Sequence, residues 1–189
     1  MRRLLLVRHA PTSATRTASF PVDEPLDERG EAGAAALAGR LPGGDALCSP
    51  ALRCRQTAAS IRLAASDEPA LAECDFGDWS GRRLDEVAAA DPDGVAAWMT
   101  DPACAPHGGE STAGFSARIG AWLAPQAQRD GTAVCITHGG VVRAAVVATL
   151  QAPVLALWRL DVAPLSVTEL HAHDGRWTVR HVNRPLALA

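Results

Sequence analysis

The chain has 189 residues, 48% hydrophobic and 21% charged, a composition that fits one folded soluble domain and excludes a disordered or fibrous protein. Its net charge of -3 offers no basic field to nucleic acid or to an anionic membrane surface, so neither partner is expected. All 18 basic residues are arginine, and the five cysteines, odd in number and without a C-x-x-C pair, point to reduced thiols in a cytoplasmic protein.

Leu4-Leu5-Leu6-Val7 is a continuous apolar run, too short for a signal-peptide core and closed by Arg8-His9; it predicts a buried strand. Asp27 to Arg40 carries Ala34, Leu37 and Ala38 at helical spacing. Pro42-Gly43-Gly44 and Ser49-Pro50 bracket a short strand at Ala46-Leu47-Cys48. The same Ser49-Pro50 supplies an N-cap and first-turn proline for a helix from Leu52 to Ala65. From Gly81 to Gly109 the chain is broken by Asp91-Pro92, Asp101-Pro102 and Pro106, which predicts a mostly helical insert, about 82–110, anchored by Trp98.

Ser111 to Gln128 reads as an amphipathic helix with Phe115, Ile119, Trp122 and Leu123 on one face. Thr132 to Thr137 repeats the buried-strand character of the N-terminus, and Val141 to Leu150 is apolar enough for a buried helix. The alternating runs between Leu157 and Asn183, punctuated by Pro164 and Asp174-Gly175, predict paired hairpin strands. Helices alternating with strands imply an α/β fold over a single domain, 1–189. The expected architecture is three-layer α/β/α: a mostly parallel central sheet, an antiparallel edge, and the small helical insert over the active site.

Two histidines hold equivalent places, His9 at the end of the first apolar strand and His138 at the end of Ala133-Val134-Cys135-Ile136-Thr137. In an open α/β sheet, ligands bind beyond the carboxyl ends of the strands, so both imidazoles are expected to face one crevice. Arg8 sits beside His9, and Arg53, with Arg55 as the competing choice in the same turn, offers a second guanidinium. The planar fork of arginine meets two oxygens of a phosphoryl group at once. Cations beside His9 should also keep its ring neutral and nucleophilic.

Leu4-Leu5-Leu6-Val7-Arg8-His9-Ala10-Pro11-Thr12 resembles the signature of the histidine phosphatase (phosphoglycerate mutase-like) superfamily. Further matches follow in that family's order: Pro25-Leu26-Asp27-Glu28-Arg29-Gly30, Ser49 to Ala58, Leu71 to Gly81, Gly109-Glu110-Ser111 and Thr137-His138-Gly139-Gly140. Each is weak alone; the ordered set spans most of the chain. The resemblance implies that His9 is the nucleophile, that Arg8, Arg53 and His138 bind phosphoryl oxygens, and that Glu73 is the general acid. It adds Thr12 and the backbone at Gly139 as substrate-binding groups, and it implies a small phosphomonoester as the partner, with neither metal nor cofactor.

Two positions depart from the family's pattern: Ala10 replaces the glycine after the histidine, which is expected to alter the turn, and Thr15 stands where asparagine is common. His171-x-His173 places two imidazoles on one strand face without a third ligand, and His107 and His181 are expected at the surface. No P-loop, dinucleotide fingerprint or H-E-x-x-H helix is present. The run Glu73 to Trp79, the insert through Trp98 and the segment Trp158-Arg159-Leu160-Asp161 are similar to those of alpha-ribazole phosphatases. The alternatives are a mutase-type phosphotransferase, a broad-specificity sugar or nucleotide phosphatase, a protein phosphohistidine phosphatase, and a non-catalytic scaffold.

Overall fold

In the computed structural model, which describes residues 1–186, strand β1 (Arg2–Arg8) runs through the centre of a six-stranded sheet. Successive strand side chains point to opposite faces, and this one sequence feeds two cores accordingly. Leu4 and Leu6 pack with Phe115, Ile119, Val141 and Ala145 on one side, while Leu5 and Val7 pack with Ala34, Leu37, Cys54 and Ala58 on the other. Strand β4 (Gly131–Thr137) divides likewise, Ala133 and Cys135 to the first core, Val134 and Ile136 to the second. That two-sided demand explains why both strands read as unbroken apolar runs.

Helix α1 (Ser13–Thr17) follows β1, and α2 (Glu28–Ala35) is capped by the Asp27 carboxylate, which accepts from Gly30 N at 2.7 Å. Strand β2 (Asp45–Cys48), helix α3 (Leu52–Ser60) and the two-residue strand β3 (Ser66–Asp67) come next. The predicted insert contains α4 (Leu84–Ala90) and α5 (Pro92–Thr100), followed by α6 (Thr112–Gln126), α7 (Gly139–Leu150) after β4, and the hairpin β5 (Ser166–His173) with β6 (Arg176–Pro185). The sheet order is β3-β2-β4-β1-β5-β6. The β3, β2, β4 and β1 pairings are parallel, and β5 and β6 join antiparallel. This is the expected three-layer α/β/α architecture.

The insert buries Val87 and Trp98 in a separate aromatic cluster with Phe20 and Trp79. His107 lies in that cluster at 1% exposure, its ring 5.0 Å from that of Trp79 and its Nδ1 accepting from Gly109 N, so its expected surface position is corrected. Phe76 and Trp79, which pack on it, lie well back in the sequence. His181 is exposed, as expected. Ser49-Pro50 does not cap α3 either: the N-cap is Ala51, without a side-chain bond, and the Ser49 hydroxyl is drawn to His138.

Candidate active site

β1 and β4 are adjacent and register Arg8 against Thr137, so the next residue on each, His9 and His138, emerges at the same carboxyl edge. His9 N donates to Thr137 O at 2.8 Å, and the two imidazole centroids stand 5.3 Å apart at 66°. Both rings are buried, His138 completely and His9 to 4% exposure.

His9 Nδ1 lies 2.8 Å from the carbonyl oxygen of Ala10. A carbonyl only accepts, so the ring proton sits on Nδ1 and the lone pair on Nε2. Burial first, and the Arg53 guanidinium second, push the pKa of His9 down to about 3 against the opposing pull of the Ala10 bond. The imidazole is therefore neutral at pH 7. Ala10 is fully buried, is not among the residues with positive φ, and donates its N–H to Thr57 Oγ1 at 3.0 Å. Alanine thus fits this turn without backbone strain.

Arg53 points inward from α3 at 3% exposure, with Nη1 donating to Val22 O at 2.7 Å and Nη2 donating to His138 Nδ1 at 3.1 Å. A guanidinium cannot accept, so His138 carries its proton on Nε2 and donates it to Ser49 Oγ at 2.7 Å. Burial, then Arg53, hold the His138 pKa well below the usual imidazole range. Arg55 instead faces solvent and pairs with Asp67. Arg8 donates from Nη1 to Val162 O at 2.6 Å, and the Nε atoms of Arg8 and Arg53 are buried without an acceptor.

Glu73 reaches the same place from the segment after β3. Its Oε2 accepts from Gly140 N at 3.2 Å, in the first turn of α7, and its Oε1 accepts from Cys74 N at 3.1 Å. Arg118 of α6 holds that loop, donating to the carbonyls of Ala70 at 2.7 Å, Ala72 at 3.1 Å and Glu73 at 3.3 Å while pairing with Glu110 at 2.8 Å. Arg8, His9, Arg53 and Glu73 together line a cavity of about 190 Å³, with Thr15 and Glu24 also on its wall. His138 abuts them through Arg53 and His9.

Thr12 and Gly139 fall elsewhere. The buried Thr12 hydroxyl caps α1 and donates to Glu24 Oε1 at 3.0 Å, and Gly139 packs against the Arg8 side chain, where an added Cβ would meet Nε at 3.4 Å. Neither lines the cavity. Sequence reasoning missed Glu24, whose carboxylate is 3.6 Å from Arg53 Nη1; Ser49, whose Ser-Pro setting mimics a helix cap; and Arg118, one more arginine on an amphipathic helix. Among the described residues no group of three or more His, Cys, Asp or Glu is placed to hold a metal, and His171 lies 2.7 Å from Glu169. No helix among them is long and apolar enough to cross a membrane.

Comparison with known proteins finds relatives in both sequence and structure. A bifunctional protein of Mycobacterium tuberculosis is 34% identical over 196 residues, covering 96% of this chain and 54% of the relative, so the chain spans about half the length of the first curated relatives it matches. The adenosylcobalamin/alpha-ribazole phosphatase of Salmonella typhimurium is 29% identical over 197 residues, covering 96% of each chain. Among solved structures, a mycobacterial glucosyl-3-phosphoglycerate phosphatase superposes with a TM-score of 0.84 at 28% identity over 97% of this chain and 100% of that one. The alpha-ribazole phosphatase of Shigella flexneri gives 0.83 at 26% identity over 99% of each. The family model of the histidine phosphatase superfamily (branch 1) matches residues 4–185, and the chain belongs to that superfamily of phosphatases.

Proposed function

We propose that the chain is a metal-independent phosphomonoesterase that works through a phosphohistidine at His9. The observation that carries this reading is the single hollow lined by Arg8, His9, Arg53 and Glu73, with the His9 lone pair on Nε2. In the first half-reaction Nε2 attacks phosphorus and the P–O ester bond breaks, while Arg8 and Arg53 draw the negative charge of the equatorial oxygens. Glu73, as the general acid, gives its proton to the departing alkoxide. In the second half-reaction Glu73 accepts a proton from water, water oxygen bonds to phosphorus, the P–N bond breaks, and inorganic phosphate leaves.

His138 has a part in both halves. It accepts from Arg53 and donates to Ser49. When a phosphoryl group takes over Arg53 Nη2, the Ser49 hydroxyl can turn to donate to Nε2, which leaves Nδ1–H for a phosphoryl oxygen. Ser49 is then the group that sets the tautomer.

The finer reading is alpha-ribazole 5′-phosphate, a nucleotide-like ester of cobalamin assembly, as substrate. It is supported by the similarity to proteins named for that activity and by the aromatic walls beside Glu73. The test of the class is rapid acid-free quenching with a ³²P-labelled ester: label should appear on the protein, be labile to acid, and vanish in His9→Ala, with turnover indifferent to chelators. Turnover retained in His9→Ala would overturn the reading.

A further inference from the structure

Glu73 lines two cavities. One is the hollow around His9; the other, about 130 Å³, is walled by Phe76, Trp98, Phe115, Leu157 and Trp158 and also contains Arg143. An ester whose bridging oxygen lies at the Glu73 carboxyl group therefore has one cavity for its phosphate and another for its alcohol.

The second cavity has a specific chemical deficit. Arg143 projects from α7 one turn beyond Gly140, and its guanidinium makes no hydrogen bond or ion pair among the described residues, with Nε buried. Its charge is near enough to lower the pKa of Arg8. The indole N–H groups of Trp98 and Trp158 are likewise buried without an acceptor. Arg143 thus places an unpaired guanidinium in the wall of a largely aromatic cavity, where an acceptor atom of the occupant is its natural partner.

The walls also favour a flat occupant. Trp98 and Trp158 meet edge to face at 4.6 Å and 67°, and Phe76 stands at 79° to Trp98 with centroids 6.2 Å apart. Such a set presents both ring faces and ring edges, which pack against a planar π system. A guanidinium is itself planar, and it can stack on a heterocycle or donate to an in-plane nitrogen or oxygen.

Building on the phosphomonoesterase reading, we propose that this cavity is the leaving-group site and that Arg143 is a specificity-determining residue in it, donating to an acceptor atom of a planar heterocycle carried by the substrate's alcohol. Trp98 and Trp158 frame the ring. The substrate class is a phosphomonoester of a nucleoside-like alcohol, rather than a bare sugar or an amino-acid phosphate.

The experiment compares kcat/KM for adenosine 5′-monophosphate, ribose 5-phosphate, O-phosphoserine and phenyl phosphate. The wild type should favour the nucleotide over ribose 5-phosphate by about tenfold or more. Arg143→Met should collapse that ratio to within about threefold of unity, chiefly through the KM of the nucleotide, and Trp158→Ala, which removes one aromatic wall, should lower it in part. If Arg143→Met does not fold, Arg143→Lys, which keeps charge and loses the planar fork, should give the same collapse. An equal loss on all four esters, leaving the ratio intact, would show a merely structural arginine and overturn the proposal. So would a wild-type preference for O-phosphoserine that Arg143→Met abolishes, because the cavity would then be a carboxylate site. Failure of the wild type to hydrolyse even phenyl phosphate removes the phosphatase reading and this inference with it; hydrolysis without preference for the ring removes only the inference.

Discussion

Gly140 offers the sharpest probe of Glu73, because a single added methyl group acts on the carboxylate and on little else. A Cβ built at Gly140 would lie 2.2 Å from Glu73 Oε1 and 3.0 Å from its Cδ, whereas ordinary contact begins at 3.4 Å. In Gly140→Ala the carboxyl group must retreat by about 1 Å, a displacement of a reacting group that costs about 10²-fold in rate. The retreat also strains the 3.2 Å bond from Gly140 N that fixes Oε2. Alanine is a better helix former than glycine by up to about 1 kcal/mol, which works against any global loss of stability. We therefore expect kcat/KM on phenyl phosphate, which reports the phosphorylation half-reaction and whose leaving group needs a proton, to fall roughly 10²-fold. On 2,4-dinitrophenyl phosphate, whose leaving group departs unprotonated, the fall should be only a few-fold. Steady-state kinetics on the two esters, with a melting curve for each protein, decides the matter. Equal losses on both esters, or none on either, would refute the placement of Glu73 as the acid.

Stability should fall as the medium is acidified below the unfolded histidine pKa of about 6.5, because there the unfolded chain binds protons that His9, with a folded pKa of about 3, and His138, held well below the imidazole range, refuse when folded. Each contributes a slope of about 1.4 kcal/mol per pH unit in that window and none above it, so urea denaturation between about pH 7.5 and about pH 5 should show a shallower dependence in His138→Gln; an identical dependence contradicts the buried neutral ring. Ser49→Ala leaves the buried His138 Nε2–H without its 2.7 Å partner and should cost about 1–3 kcal/mol in denaturation, with a loss of turnover that Ser49→Thr restores in part. Glu24→Gln removes a buried negative charge 3.6 Å from Arg53, so inhibition by vanadate should tighten roughly tenfold; an unchanged inhibition constant would mean that the carboxylate does not compete for that guanidinium. Ala10→Gly should lower stability by about 0.5–1 kcal/mol without raising kcat, since the site does not use positive φ.

The central strands were legible because their physics is local to the strand: a segment buried on both faces must be apolar at every position, and Leu4–Val7 and Ala133–Ile136 are. The helices were legible as elements but not in length, since α2 ends at Ala35 and α3 at Ser60, while the apolar spacing continues into turns that pack against the same core. Strand β3 had no such signal. Its two exposed residues, Ser66 and Asp67, join the sheet through backbone pairing with Leu47 and Cys48, which any residue pair can make.

At the site, what the sequence revealed was the set of charged and basic atoms, and what it hid was how their hydrogens are assigned. Arg8, His9, Arg53 and Glu73 could be nominated by residue type and order, and they do line one hollow. The tautomers could not be read from sequence, because each depends on a partner chosen by three-dimensional proximity: Ala10 O for His9, and Arg53 with Ser49 for His138, 85 and 89 residues away. Ser49 illustrates the cause. The dipeptide Ser49-Pro50 satisfies every local rule for starting a helix, yet the buried imidazole N–H of His138 is a stronger claimant for its oxygen than the first turn of α3, where Leu52 N donates to Asp23 and Cys54 N to Ala51 O. Local propensity settles the use of a polar side chain only where no buried group competes for it, and a catalytic site is where such competition is densest.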